Sequence, residues 1–279
     1  MQHDQLLNAV ADIAITAGER ILAVYNQADA VAVDFKSDNS PITEADRQAH
    51  NLICERLATL TPNIPVLSEE SKLVDFAIRK NWQTYWLVDP LDGTKEFVKR
   101  NGEFTVNIAL IENGIATLGV VHVPVTGVTY SGSSKTGAFV QRGNGDRESI
   151  AVARITENTT RLQIVASRSH RDEQLTRIVQ SLREKFAEVN EVSMGSSLKI
   201  CLLAEGKADF YPRLAPTSEW DTAAAHAVLS AAGGEIVNLE FMPLRYNQKS
   251  SLLNPYFLAL GDQLFDWRAV LSGQLDKPE

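Results

Sequence analysis

Trp86-Leu87-Val88-Asp89-Pro90-Leu91-Asp92-Gly93-Thr94-Lys95-Glu96-Phe97 is the stretch on which the reading of this chain turns. Tyr85 to Val88 is a hydrophobic run of strand type, followed by two carboxylates three residues apart with a proline between them. Pro90 removes one backbone donor and stiffens the turn. Gly93 lets the backbone approach a ligand closely, and Gly-Thr-Lys reads as a helix start. Asp89 and Asp92 are hard oxygen donors of the kind Mg²⁺ prefers. The free N–H groups of Gly93, Thr94 and Lys95 at a helix N-terminus would cradle an anion. Carboxylates for cations beside amides for an anion point to metal-assisted phosphate chemistry. Asp-Pro and Asp-Gly are also ordinary turn dipeptides, so the stretch alone leaves a plain structural turn open.

The 279 residues suffice for one large domain or two small ones with a sizeable core. Hydrophobic content of 44% and charged content of 22% are those of a soluble globular protein. No apolar run approaches the ~20 residues of a transmembrane helix, and Met-Gln-His-Asp does not open a secretory signal. Two cysteines make no disulfide framework; Cys54 and Cys201 lie in apolar-periodic helical stretches and read as small core residues. A reducing, cytoplasmic setting fits. The net charge of −8 argues against binding nucleic-acid polymers. No lipidation signal or strongly basic amphipathic helix supplies a means of membrane attachment.

Working outward from the central stretch, Leu6, Val10, Ile13, Ala17, Ile21 and Val24 form the stripe of an amphipathic helix over Asp4 to Tyr25. Val31 to Phe35 alternates like a strand, and residues 37–41 form a loop. Thr43 is a candidate N-cap for a second helix that buries Ala49, Leu52, Ile53 and Leu57. A short strand, Ile64 to Leu67, leads to Ser68-Glu69-Glu70-Ser71, whose glutamates also suit a solvated loop. A helical stretch near Val74 to Lys80 then precedes the central motif. From Phe104 to Arg142, β-rich runs separated by Asn113-Gly114, Pro124 and Gly132 read as an antiparallel meander. The second half alternates: strands at 162–166, 208–211, 235–239 and 256–260, and helices at 172–186, 196–204 and 221–232. That interleaving indicates α/β layering. The chain reads as two packed lobes, 1–150 and 151–279, with the boundary near Arg147 to Ile155.

Glu219-Trp220-Asp221-Thr222-Ala223-Ala224 starts a helix of very small residues, which can pack tightly on a sheet. Asp221 is also a good N-cap type. Glu69, Asp89, Asp92 and Asp221 are thus four carboxylates, each at a strand end or helix start. Clustered carboxylates repel and are tolerated mainly where cations neutralise them.

The glutamate pair after a strand, Asp89-Pro-Leu-Asp-Gly-Thr94 and Trp220-Asp-Thr-Ala-Ala224 resemble the three signatures of the inositol monophosphatase superfamily, in order and across essentially the whole chain. Asp92-Gly-Thr-Lys-Glu-Phe97, Asn101-Gly-Glu-Phe-Thr-Val-Asn107 and Gly195-Ser-Ser-Leu-Lys199 are similar to its 3′(2′),5′-bisphosphate nucleotidase branch, including bacterial members that serve sulfur assimilation. The resemblance implies an α-β-α-β-α sandwich and Mg²⁺-dependent removal of the 3′-phosphate from adenosine 3′,5′-bisphosphate, with the sulfated nucleotide as a related substrate. Two or three Mg²⁺ ions are implied: one held by Glu69, Asp89 and the Leu91 carbonyl, another by Asp89, Asp92 and Asp221. Asp46 and Thr94 would orient the attacking water with Glu70 nearby, and Gly93 and Thr94 would carry the phosphate. The nucleotide would meet His170, Ser196, Lys199 and Arg213. Lys199 stands one helical turn from Ser196, and Arg213 can fork to a phosphate or stack on a base; an isolated Lys or Arg is also an ordinary surface group. Asp46 equally suits a capping box with Thr43. His50 and His226 read as packing or surface residues. An inositol or sugar phosphate phosphatase with the same metals is the competing reading, against which Lys95-Glu96-Phe97 and the Ser196/Lys199 pair argue. The expected partner is a small nucleotide, with the chain a monomer or weak homodimer. Peripheral association with the cytoplasmic face of the inner membrane has been assigned within the resembled group.

Overall fold

The computed structural model describes residues 3–27, 33–35, 41–166 and 173–275. Helix α1 (His3–Tyr25) buries the expected stripe. Strand β1 (Val33–Phe35) pairs with β2 (Pro41–Thr43), and Thr43 caps α2 (Glu44–Leu60). Then come β3 (Val66–Ser68), α3 (Phe76–Arg79), β4 (Thr84–Asp92) and α4 (Thr94–Val98). The meander is β5 (Thr105–Glu112), β6 (Ile115–Val123), β7 (Val128–Ser133), β8 (Gly137–Arg142) and β9 (Arg147–Ile150). At the β5–β6 hairpin Asn113 and Gly114 have φ of 51° and 77°, the left-handed pair of a two-residue turn that follows the sheet's twist. The seven strands β3 to β9 lie in sequence order, and only β3–β4 is parallel.

A second sheet follows: β10 (Arg161–Ala166), α5 (Glu173–Lys185), β11 (Glu188–Ser193), α6 (Leu198–Ala204), β12 (Phe210–Arg213), α7 (Glu219–Ala231), β13 (Glu235–Asn238), β14 (Phe257–Leu260) and α8 (Trp267–Val270). Its order is β11-β10-β12-β14-β13, with β10 parallel to both neighbours. Alternation along the strands sets the layers. Trp86, Val88, Ile108 and Val120 meet α1 and α2, while Tyr85, Leu87, Ala109 and Val121 face the opposite way onto α6 and α7. Val165, Tyr211, Phe257 and Ala259 of the second sheet cover the other side of those helices. Leu162, Phe210, Leu258 and Trp267 form a third core with α5. The result is the expected α-β-α-β-α sandwich.

Several elements depart from the sequence expectation. β4 does not stop at Val88 but runs through Pro90 to Asp92, because a bulge between Asp89 and Asp92 absorbs one residue against β5. β9 and β11 were not foreseen; both are polar edge strands without a hydrophobic alternation. Helix α6 begins at Leu198, not Ser196, whose φ of 40° is left-handed. The Ser196/Lys199 spacing is therefore not a helical turn.

Helix α7 is buried from Thr222 to Leu229, so it needs small residues and a hollow to lie in. Gly119 and Gly132 provide the hollow: a Cβ on Gly119 would stand 2.1 Å from the Ala224 carbonyl oxygen, and one on Gly132 would stand 2.9 Å from Val228 Cα. Its N-terminus is pinned from below. Fully buried Arg79 bonds the Asn247 side chain and the Lys249 carbonyl, and Asn247 N–H donates to Glu219 Oε2 at 2.8 Å. His226 is a packing residue, its ring held between the Tyr246 hydroxyl (2.8 Å) and the Glu235 carboxylate. Gly119→Ala should therefore destabilise the fold by about 2–3 kcal/mol or more. The check is a urea midpoint; an unchanged midpoint would mean that the helix can rise without loss.

Candidate active site

Three carboxylates, Glu69, Asp89 and Asp221, offer oxygens that all lie within 4.8 Å of one another. Each is delivered by a different element. The Glu69 N–H continues the β3–β4 ladder to the Val88 carbonyl at 3.0 Å, and buried Ser68 before it is held by His50 at 2.9 Å. Asp89 sits at the bulge with its Oδ1 accepting from Leu91 N–H at 3.0 Å. Asp221 occupies the third position of α7, where its Oδ2 accepts from the Ser218 N–H at 2.9 Å in a capping box. The helix thus starts two residues earlier than expected, with Ser218 as its cap.

Burial raises the proton affinity of Asp89 well above the ordinary carboxylate range, and the charges of Glu69, Asp92 and Asp221 raise it further. Asp221 is raised the same way, by burial first and Asp92 second, against the Ser218 hydrogen bond. A set of hard, crowded, dehydrated oxygens fits a small divalent cation, which would replace the protons those acids otherwise hold. Asp92 stands beside this trio, its Oδ2 accepting from Ser197 N–H at 2.7 Å and from Ser197 Oγ at 2.8 Å. Leu91 is buried, with its carbonyl 3.4 Å from Thr94 Oγ1. Glu70 lies half-buried in the turn after Glu69 and outside the trio.

Asp46 closes the α2 cap with one oxygen and meets Thr94 with the other. Its Oδ2 accepts from Thr43 N–H at 2.7 Å and Thr43 Oγ1 at 2.6 Å, closing the α2 cap. Its Oδ1 accepts from Thr94 Oγ1 at 3.3 Å. Gly93, with φ of 94°, turns the chain from β4 into α4 and so presents Thr94.

A cleft of about 410 Å³ is lined by Asp92, Gly93 and Asp221 and also by Ser196, Lys199 and Arg213. Burial pulls the Lys199 ammonium below its ordinary range; Asp92 opposes that and Arg213 adds to it. Lys199 Nζ donates to the Ser196 carbonyl at 3.0 Å, and Arg213 donates to the Ala215 and Pro216 carbonyls at 3.2 and 3.1 Å. His170 lies outside the described residues. Sequence reasoning missed Ser197 and Asn107, which bond each other at 2.9 Å behind Asp92. An asparagine inside the apolar run 106–111 was the available signal.

The model of the inositol monophosphatase family matches residues 2–264, and the chain belongs to that family. It is 49% identical over 252 residues to the 3′(2′),5′-bisphosphate nucleotidase CysQ of Escherichia coli O157:H7, covering 90% of this chain and 98% of the relative. It is 40% identical over 273 residues to the Haemophilus influenzae protein of that name, covering 96% and 97%. The crystal structure of CysQ from Bacteroides thetaiotaomicron is 45% identical and superposes with a TM-score of 0.80 over 93% of this chain and 98% of that one. Thermotoga maritima IMPase, 23% identical with a TM-score of 0.71 over 96% and 95%, shares the fold. Among the described residues no helix is long and apolar enough to cross a membrane.

The raised acids set a pH dependence. A carboxyl that binds its proton more tightly folded than unfolded stabilises the fold at low pH, and that stability is lost as pH rises. Asp89 and Asp221 act in this sense, and Glu219, pushed up to about 7 chiefly by burial, extends the window. The melting temperature of metal-free protein should fall between about pH 4.5 and 7, and Mg²⁺ should raise it more at pH 8 than at pH 6. Thermal scans across pH with EDTA or Mg²⁺ check this; a Mg²⁺ increment that does not grow with pH would contradict it.

Proposed function

We propose that this chain is a Mg²⁺-dependent 3′(2′),5′-bisphosphate nucleotidase that converts adenosine 3′,5′-bisphosphate to AMP and phosphate, the activity named in its relatives. The sulfated nucleotide is proposed as a second substrate, and the cytoplasmic work of sulfur assimilation as the setting. One observation carries the reading: a single cleft is lined by Asp92 and Asp221, the latter a member of the carboxylate cluster suited to cations, and by the Lys199–Arg213 pair, suited to a second phosphate. A monophosphate would use one end of that cleft and a bisphosphate both.

Glu69, Asp89 and the Leu91 carbonyl are proposed to hold one Mg²⁺, and Asp89, Asp92 and Asp221 another. When bound, such ions supply the positive charge that stabilises the attacking and leaving oxygens. The chain's own groups do the rest. Thr94 Oγ1 gives its proton to Asp46 Oδ1 as a hydrogen bond, which leaves its lone pairs for an O–H of the attacking water. That contact holds the water in line with phosphorus, and Glu70 is proposed to assist it. The water oxygen bonds phosphorus as the 3′-ester P–O bond breaks; one water proton stays with the released hydrogen phosphate and the other balances the departing 3′-oxygen, which leaves as the 3′-hydroxyl. The Gly93 and Thr94 amides would receive the phosphate oxygens, and Ser196, Lys199 and Arg213 the 5′-phosphate.

The test is phosphate release from adenosine 3′,5′-bisphosphate and from inositol 1-phosphate, with and without Mg²⁺. The bisphosphate should be strongly preferred. Lys199→Ala should weaken its use selectively, by about 10-fold or more in kcat/KM, the scale of a charged hydrogen bond. Preference for the inositol ester, or an equal loss on both substrates, would overturn the assignment.

The double role of Asp46 separates two variants. Thr94→Ala should lower kcat by about 10² with little change in melting temperature. Asp46→Asn should lower kcat comparably and also cost about 1 kcal/mol of stability, since it breaks the α2 cap. The double variant should turn over little more slowly than either single one, because the two residues act as a unit. Multiplicative losses would separate Asp46 from Thr94.

A further inference from the structure

Behind the carboxylates one buried hydroxyl joins the two halves of the site. Ser197 is 3% exposed. Its Oγ lies 2.8 Å from Asp92 Oδ2 and 2.6 Å from the Asp221 backbone carbonyl, and it accepts from Asn107 Nδ2 at 2.9 Å. A hydroxyl has one proton and two lone pairs. The carboxylate and the carbonyl are both acceptors, so they share the one proton, while Asn107 fills a lone pair. Ser197 is among the residues that line the cleft, but its hydroxyl is engaged by three protein groups. Asp92 Oδ2 is taken as well, by the Ser197 amide, its hydroxyl and, at 3.5 Å, Asn107 Nδ2. Oδ1 of Asp92 has no hydrogen bond among the described residues.

The surrounding backbone is built to hold this arrangement. Asn107 stands on β5 directly opposite Asp89 in the β4–β5 register. Gly195 packs so closely on Glu103 that a Cβ there would come within 2.8 Å of the Glu103 side chain. Ser196 then takes its left-handed turn, and Lys199 Nζ bonds back to the Ser196 carbonyl. One short segment thereby delivers Ser197 to Asp92 and Lys199 to the cleft.

We propose that Ser197, seated by Asn107, is a positioning residue: it fixes which Asp92 oxygen is presented to the cation site and ties that acid to the first turn of α7, which carries Asp221. The inference rests on the cation-site reading above and adds to it a residue that acts through Asp92. Because a partner that orients a ligand typically changes cation affinity or activity by about 10–100-fold, the effect is measurable without turnover.

The experiment titrates Mg²⁺ into full-length wild type, Ser197→Ala and Ser197→Cys by calorimetry in the absence of nucleotide. Cysteine keeps roughly the volume of serine but bonds weakly, so it separates the hydrogen bond from packing and carries the test if the alanine variant fails to fold. Both variants should bind Mg²⁺ about 10-fold more weakly. At saturating Mg²⁺ their kcat on adenosine 3′,5′-bisphosphate should fall similarly, while KM stays within about threefold, because the Lys199 contact survives. Asn107→Ala should act in the same direction. Wild-type cation affinity in both serine variants would overturn the inference while leaving the proposed function standing. Absence of Mg²⁺ binding by the wild type would remove the cation site itself, and the inference with it.

Discussion

Asp89 is buried and Asp221 half-buried where the end of β4 meets the start of α7, and the charge of Asp221 opposes ionisation of Asp89. Burial and neighbouring carboxylates make both harder to ionise: Glu69, Asp92 and Asp221 act on Asp89, and Asp92 and Glu69 on Asp221. The surrounding structure holds them together against that repulsion. Asp46 and Asp221 each occupy the third position of a helix and commit one oxygen to a capping box, which fixes the carboxylate plane through the backbone. Asp89 is fixed by a bond to Leu91 within its own bulge, and Asp92 by Ser197. Stability elements and chemical groups are therefore the same residues at this site.

The position of α7 converts two separate sheets into one site. Its small residues settle into the hollow at Gly119 and Gly132, while the second sheet closes over its other side. Arg79, Asn247 and Glu219 pin its N-terminal end without adding a free charge at the cleft. The distance between the carboxylates of β4 and α7 is thus set by glycine-to-helix packing about one to two turns further along the helix axis. A core substitution far from the cleft can move Asp221 without touching it.

Much of this was legible in the residues. The helical stripe of α1, the Thr43 cap, the meander turns and the strand before Asp89 follow from local patterns that the tertiary structure leaves intact. The acids stood out because each sits where an element starts or ends. Pro90 misled, since a proline in a central strand reads as a break; the bulge lets β4 continue past it with Leu91 still in the core. Polar edge strands such as β11 carry no alternation and left no trace. Ser197 and Asn107 were missed for another reason: the asparagine stood out in its apolar run, but the role of the pair arises from a meeting of residues 90 positions apart, which no local window contains. The cap at Asp46 does not exclude its contact with Thr94, because a carboxylate has two oxygens.

The hollow on the seven-stranded sheet also bears on how the molecule is made. Residues 1–150 include the whole of that sheet, yet one face of it, with Tyr85, Leu87, Ala109 and Val121, packs on α6 and α7 from the second half of the chain. A growing chain must carry that apolar face bare until residue 231 has emerged and the helix can dock. Such a face invites wrong partners, so this interval is the window in which chaperones have most to do. The same order of events keeps Asp221 away from Glu69 and Asp89 until the fold is finished. A cation that needed the complete trio would therefore find it only in the mature molecule and could not guide its earlier half.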